Sequence, residues 1–296
     1  MSTVSSKVSS LDDDPSAKRA AYDLWFDESG QFMETSTRPE ERAVRQDFPS
    51  QLVGLLVPRG SLTESAATSA LKAAYKAAKL SLDELVHGNE IARDNKKSYE
   101  PLIAALLTEI HGHGWQPIRL VNLEGVRYGD RVTTYTQMVA ELVLRVLREL
   151  ALQGEPRVDL VLHGANVVLE FDRNREPTLL AAAEYDERIQ KALSFLAVRR
   201  GLADKISGWT VASVQLHSGM YRRQLQVCDL LSHSSHASFK HLGPETRAAF
   251  VEALGPFDQS LIIRELFERV DDLVLDRSYG RALMLLAESG IDPEQS

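Results

Sequence analysis

The sequence predicts an α/β protein, and three observations carry that expectation. Short apolar runs that end at turn residues recur along the chain, at Tyr22–Gly30, Gln51–Pro58, Gln116–Leu123, Val158–His163 and Gly208–Leu216. Between them lie longer segments with apolar residues at helical spacing, the arrangement that buries a sheet between helices. The chain has 296 residues, of which 44% are apolar and 26% charged, enough for a substantial core in an ordinary globular protein.

The first strand, Tyr22-Asp23-Leu24-Trp25-Phe26-Asp27-Glu28-Ser29-Gly30, puts Leu24 and Phe26 on one face and Trp25 on the other. It runs directly into two adjacent acids and a glycine turn. Two carboxylates at a strand end repel each other and lose hydration, so a cation or a shared proton is a natural compensation; a plain surface turn would use the same residue types. A charged loop from Glu34 to Asp47 leads to the second strand, which stops at Pro58, and the two strands are expected to form an antiparallel hairpin with a long connection.

Ser61 to Leu80 predicts a helix, with Ser61 or Thr63 as cap and Glu64 in its first turn, and a second helix is expected from about Tyr99 to His111. The stretch Leu82 to Glu90 between them reads as a loop. After the strand at Gln116–Leu123, Thr134 to Leu152 is the clearest helix: Met138, Val139, Leu142, Val143, Val146, Leu147 and Leu150 form its apolar stripe, while Glu141, Arg145, Arg148 and Glu149 mark the expected wet face. Val158–His163 is the expected central strand after that crossover, with Val167–Arg173 as its continuation or hairpin partner. A helix from Glu184 to Val198 ends at Arg199-Arg200-Gly201, a last strand follows, and a late helix spans Tyr221 to Phe239, anchored by Leu225, Cys228, Leu230 and Leu231. Pro244 to Gly290 reads as three further helices.

Residues 1–20 are expected to be a disordered tail, because their polar, acidic start has no apolar segment of the signal-peptide kind. No window approaches a membrane span. The single cysteine, Cys228, excludes an intrachain disulfide, suits a reducing cytoplasm, and reads as a buried small hydrophobe. A net charge of −8 does not advertise nucleic-acid binding, although local patches decide that, and basic pairs occur at Arg199-Arg200 and Arg222-Arg223.

Two motifs carry a family resemblance. Phe26-Asp27-Glu28-Ser29-Gly30 resembles the first strand of a widespread bacterial family of uncharacterised proteins with a ribonuclease H-like fold, and Gln224-Leu225-Gln226-Val227-Cys228-Asp229 is similar to that family's late helix. Cys228 stands where that helix often has alanine, and Gln31 where another acid is often found. The resemblance implies a ribonuclease H-like mixed sheet over residues 21–240, in which the helices at about 61–113 are an insertion; the helices read at 241–296 form a C-terminal extension beyond the resemblance.

It also implies a site. In such enzymes, carboxylates from the sheet and from a late helix converge on divalent cations, and hard oxygen donors suit Mg²⁺ or Mn²⁺. Asp27, Asp172 and Asp229 are the implied ligands, with Glu28 a ligand or an orienter of the ligands; Glu170 and Glu184 stand behind Asp172 as the middle carboxylate. His87 and Glu90 are candidates because a histidine after a Glu-Leu pair sits near the site in that family, and His233 is a candidate neighbour of the phosphate. His233 and His236 could alternatively share a helix face around a transition metal, without a companion cysteine or acidic motif.

The expected function is thus a cytoplasmic metal-dependent nuclease that hydrolyses DNA or RNA, in a setting of antiphage defence or a mobile element. The alternative is a catalytically inactive scaffold that meets a protein partner through its helical additions. There is no Gly-x-Ser-x-Gly elbow and no phosphate-cradling Gly-x-x-x-x-Gly-Lys loop.

Overall fold

A computed structural model describes residues 19–29, 50–82, 87–122, 131–165, 182–199, 208–217, 222–235 and 239–260. The sequence-predicted tail up to residue 18, the Glu34 to Asp47 loop, the second run at Val167–Arg173 and everything after Ser260 lie outside these residues.

Six strands form one mixed sheet: β1 (Ala20–Ser29), β2 (Gln51–Pro58), β3 (Gln116–Val121), β4 (Val158–Ala165), β5 (Trp209–His217) and β6 (Asp258–Ser260). Their order is β5-β4-β1-β2-β3-β6. Strand β2 runs antiparallel to both its neighbours, β1 and β3, whereas β1–β4, β4–β5 and β3–β6 are parallel pairs. The parallel pairs follow helical crossovers and the β1–β2 pair is the expected hairpin.

Alternation along β1 sorts its side chains between two cores. Leu24 and Phe26 join Leu52, Leu56, Ile118 and Leu120 under α4 (Arg131–Leu152) and α5 (Ala182–Arg199). Trp25 joins Val53, Leu55 and Val57 on the opposite face, under α1 (Glu64–Ala77), α3 (Lys96–Gly112) and α6 (Arg223–Ser234). A seven-residue helix, α2 (Gly88–Asp94), begins in the last three residues of the stretch read as a loop, and α7 (Pro244–Leu254) follows the late helix. Strand β6, read as helix in the sequence, is drawn into the sheet by an Arg119–Asp258 pair with contacts of 2.8 and 2.7 Å. Residues past 240 thus contribute a strand as well as a helix.

One expectation about α4 fails. Glu141 is 0% exposed and Arg145 8%, so part of the supposed wet face is interior, where the two pair at 3.5 Å and Arg145 also donates to Gln259 at 3.0 Å. A buried charge is tolerable only when paired in this way. A one-helix reading sees two charges four residues apart and assigns them to water.

Helix α7 has no capping side chain of its own at Gly243. Glu100 on α3 does that work, accepting the Gly243 N–H at 2.7 Å and the Thr246 hydroxyl at 3.0 Å. Glu100→Ala is expected to cost about 1 kcal/mol, as loss of an N-cap does, measured by chemical denaturation.

Candidate functional site

Asp27 and Glu28 lie in the last turn of β1 before its end at Ser29. Asp23, Trp25 and Asp27 share the strand face toward α6, by the two-residue period. Helix α6 packs along β1 and β2 with Leu225, Val227, Cys228, Leu230 and Leu231 all buried. This anchoring turns Asp229 toward the end of β1 and the start of α2.

The carboxylates interact. Asp27 retains part of its surface, and its carboxyl is packed about by protein. Burial first, then the charges of Glu28 and Asp229, push its pKa well above the usual carboxylate range, against a stabilising hydrogen bond from the Glu28 N–H. Two residues from the strand and one from the late helix therefore share one electrostatic neighbourhood.

Asp229 is held from the other side by α2. The Gly88 N–H donates to its Oδ2 at 2.8 Å, and His87 Nδ1 stands 3.7 Å from its Oδ1, an ion-pair distance. Asp229 raises the His87 pKa above the usual histidine range, overcoming the opposing effect of partial burial. Glu90 accepts the His87 N–H at 3.3 Å and so supports the turn rather than facing the carboxylates directly. His233 packs on Gly88: a Cβ there would sit 3.0 Å from the His233 Cβ, which is why glycine fits. Burial, with the charge of His87, lowers the His233 pKa, while Asp229 works in the other direction. Glycine at 88 thus allows α2 to approach α6 closely enough for its backbone to reach Asp229.

Of the sequence-predicted residues, Asp229, His87 and His233 are neighbours and Asp229 acts electrostatically on Asp27; Glu28 acts on Asp27 from the next position, on the opposite strand face beside Leu52, and Glu90 lies in the first turn of α2. Asp172, Glu170 and His236 lie outside the described residues. Glu184 falls in the first turn of α5, with its side chain outside them. Cys228 is fully enclosed; burial, with the charges of Asp27 and Asp229, pushes its thiol well up, which leaves it without nucleophilic character.

Sequence reasoning missed three features. Tyr75 on α1 is buried beside Asp229: burial, opposed by its Gln226 contact at 3.4 Å and followed by the Asp229 charge, raises its pKa. Gln51, read only as a strand start, reaches from β2 to α6. A second polar cluster lies farther down the same face of β1. There Asp23 accepts the Gly60 N–H at 2.8 Å and meets Arg59 at 3.4 Å and His163 at 3.5 Å, while His163 stacks on Trp25 with ring centroids 4.0 Å apart. Burial tends to raise the Asp23 pKa, but His163, Gly60 and Arg59 together hold it below the ordinary value. This carboxylate is compensated by the protein itself, unlike Asp27. The period-2 face shared by Asp23 and Asp27 was the available hint.

Among the described residues, no group of three His, Cys, Asp or Glu side chains is assembled closely enough to hold a metal ion, and no helix is long and apolar enough to cross a membrane. Searches of protein-family profiles, of curated proteins and of solved structures each find no match to this chain.

Proposed function

We propose that the chain is a metal-dependent nuclease of ribonuclease H-like fold, hydrolysing phosphodiester bonds of DNA or RNA, with a helical insertion between β2 and β3 and a place in antiphage defence or on a mobile element. The observation that carries the reading is the packing of α6 along β1, which sets the late-helix Asp229 near the acidic strand end at Asp27-Glu28. The strand order β5-β4-β1-β2-β3, with β2 alone reversed among those five, and the acidic end of β1 beside a late-helix aspartate, support the same fold.

The donor chemistry fits a hard divalent cation, Mg²⁺ or Mn²⁺. Carboxylate oxygens are the ligands such ions prefer, and the charges of Glu28 and Asp229 act on Asp27 in the direction that a cation relieves. The further ligands the site needs would come from Asp172 or Glu170, outside the described residues. When bound, the cation supplies charge neutralisation at the scissile phosphate and a more acidic attacking water.

The chain's own residues do the rest. Asp27 and Asp229 present the carboxylates on the α6 face, Glu28 adds negative charge from the neighbouring strand position, and the Gly88 N–H holds the Asp229 carboxylate. His87, whose side chain is 47% exposed, stands beside Asp229 and, when protonated, adds a positive charge where a polyanionic substrate arrives. Tyr75 and Leu55 belong to the packed wall behind the carboxylates, which excludes water from their far side.

The test is cleavage of single- and double-stranded DNA and RNA with Mg²⁺, Mn²⁺ or chelator. Wild type is expected to cut only with metal, and Asp229→Ala to lose the activity by on the order of 10²-fold or more. Equal cutting by both proteins, or none by wild type with either metal, would overturn the reading. The scaffold alternative, with a protein partner contacting the helices, is favoured by the incomplete ligand group among the described residues. A wild type that neither cuts nor binds Mn²⁺ is what it requires.

A further inference from the structure

Gln51 opens β2 opposite Ser29 of β1, immediately beyond the Asp27-Glu28 pair. It is 1% exposed, and its amide nitrogen lies 2.8 Å from Ser29 Oγ, 3.0 Å from the Ser232 carbonyl and 2.8 Å from Ser235 Oγ. One buried side chain therefore joins the acidic end of β1 to the last turn of α6. Ser232 is one helical turn beyond Asp229, about 4.5 Å along the axis. An apolar side chain would fill the same space, so burial alone does not call for an amide here. The two amide hydrogens are shared between Ser29 on β1 and the Ser232–Ser235 pair at the end of α6, so the side chain fixes direction as well as distance between strand and helix.

We infer that Gln51 is a positioning residue that sets the separation between Asp27 and Asp229 by bolting the end of α6 to the end of β1. The inference rests on the proposed nuclease site for its consequence, but not for its geometry. Without the amide donors, the last turn of α6 keeps its internal bonds to the Leu231 and Ser232 carbonyls but loses these ties to the strand ends, and Asp229 loses its defined distance from the strand. The Gly88 contact cannot replace the bolt, because it orients Asp229 from α2 and does not touch β1.

The experiment compares full-length wild type, Gln51→Met, Ser235→Ala and Gln116→Met. Methionine keeps the length of Gln51 and removes its donors, while Ser235→Ala removes a single acceptor and is the milder change. Gln116 is the control: its amide clamps the end of α7 in the same way, at 2.8 Å from the Ala253 carbonyl, on a part of the fold that does not touch the carboxylates. Two readouts are taken, amide hydrogen exchange and cleavage kinetics.

The Ser235 N–H, bonded to the Leu231 carbonyl at 3.0 Å, is expected to exchange about tenfold faster in Gln51→Met, with a smaller effect of the same sign in Ser235→Ala. In the same variant kcat is expected to fall about tenfold or more while KM stays within about twofold, the pattern of a misplaced catalytic group. Gln116→Met is expected to leave both unchanged, even at a similar loss of thermal stability. Unaltered exchange at Ser235 in Gln51→Met overturns the inference, as does an equal fall of kcat in Gln116→Met. If wild type proves inactive while Ser235 exchange still responds to Gln51→Met, the bolt stands and the nuclease reading falls.

Discussion

Asp27→Asn is expected to abolish metal-dependent cleavage and at the same time make the protein more stable. Activity should fall by on the order of 10²-fold or more, because asparagine keeps the shape but not the charge of a cation ligand. Stability should rise by about 1–2 kcal/mol near neutral pH, a few degrees in Tm for a domain of this size. The gain follows from the direction of the Asp27 shift. Burial, Glu28 and Asp229 raise its pKa in the folded protein, so folding favours the protonated carboxyl. That contribution is fully present below the unfolded value and is lost as pH rises through the folded one. The difference between Asp27→Asn and wild type should accordingly vanish in acid, grow as pH climbs from the unfolded pKa, and level off above the folded pKa. Denaturation across pH in chelator measures it. A variant destabilised at neutral pH would mean that the Asp27 charge is compensated after all. Mg²⁺ or Mn²⁺ should narrow the gap by stabilising wild type alone.

Gly54→Ala is expected to be the most damaging single substitution in the sheet. Gly54 pairs with Phe26 across the β1–β2 ladder, and a Cβ at this position would lie 1.9 Å from the Trp25 carbonyl oxygen and 2.7 Å from the Phe26 Cα. Both obstacles are backbone atoms of the central strand, so no side-chain rotation relieves the overlap. Strands β1 and β2 would have to separate at the point where both cores meet the sheet. The expected cost is about 3 kcal/mol or more, at the upper end of overpacking effects, with Tm lowered by roughly 6–12 °C. Circular dichroism melts of Gly54→Ala and Gly54→Ser should show it, and a Tm within a degree or two of wild type would mean that β2 can slide away from β1 at little cost. Because the strain falls next to Asp27, residual activity should fall further than the loss of folded protein explains.

The elements whose pattern is written in one stretch of chain were legible in the sequence. Alternation in Tyr22–Ser29 named the two faces of β1, and both cores use them as expected. The apolar stripe of Thr134 to Leu152 named a packing helix, and the cluster of Leu225, Cys228 and Leu231 named the anchored face of α6. Charges were harder. Glu141 and Arg145 look solvated from α4 alone, yet they satisfy each other inside, since an i,i+4 pair has the same spacing in water and in a core. Helix α2, which starts at the end of the Leu82 to Glu90 stretch, was not read because seven residues are too few to show a period, and only its contacts with α6 reveal what it does.

By itself, the sequence determined which residues were chemically unusual: two adjacent acids at a strand end, a lone acid within the late helix Arg223–Ser234, and a histidine-glycine pair between helices. Those are properties of residue type and near-neighbour spacing, and periodicity reports them directly. Only the tertiary structure decided that Asp27, Glu28 and Asp229 burden one another, that Gly88 and His87 attend Asp229, and that Gln51 ties the two ends together. The physical reason is that Coulomb repulsion, hydrogen bonds and steric contact depend on distance through space. Strand order and helix packing bring these residues together from opposite ends of the chain, and no local pattern in the sequence records which face will meet which.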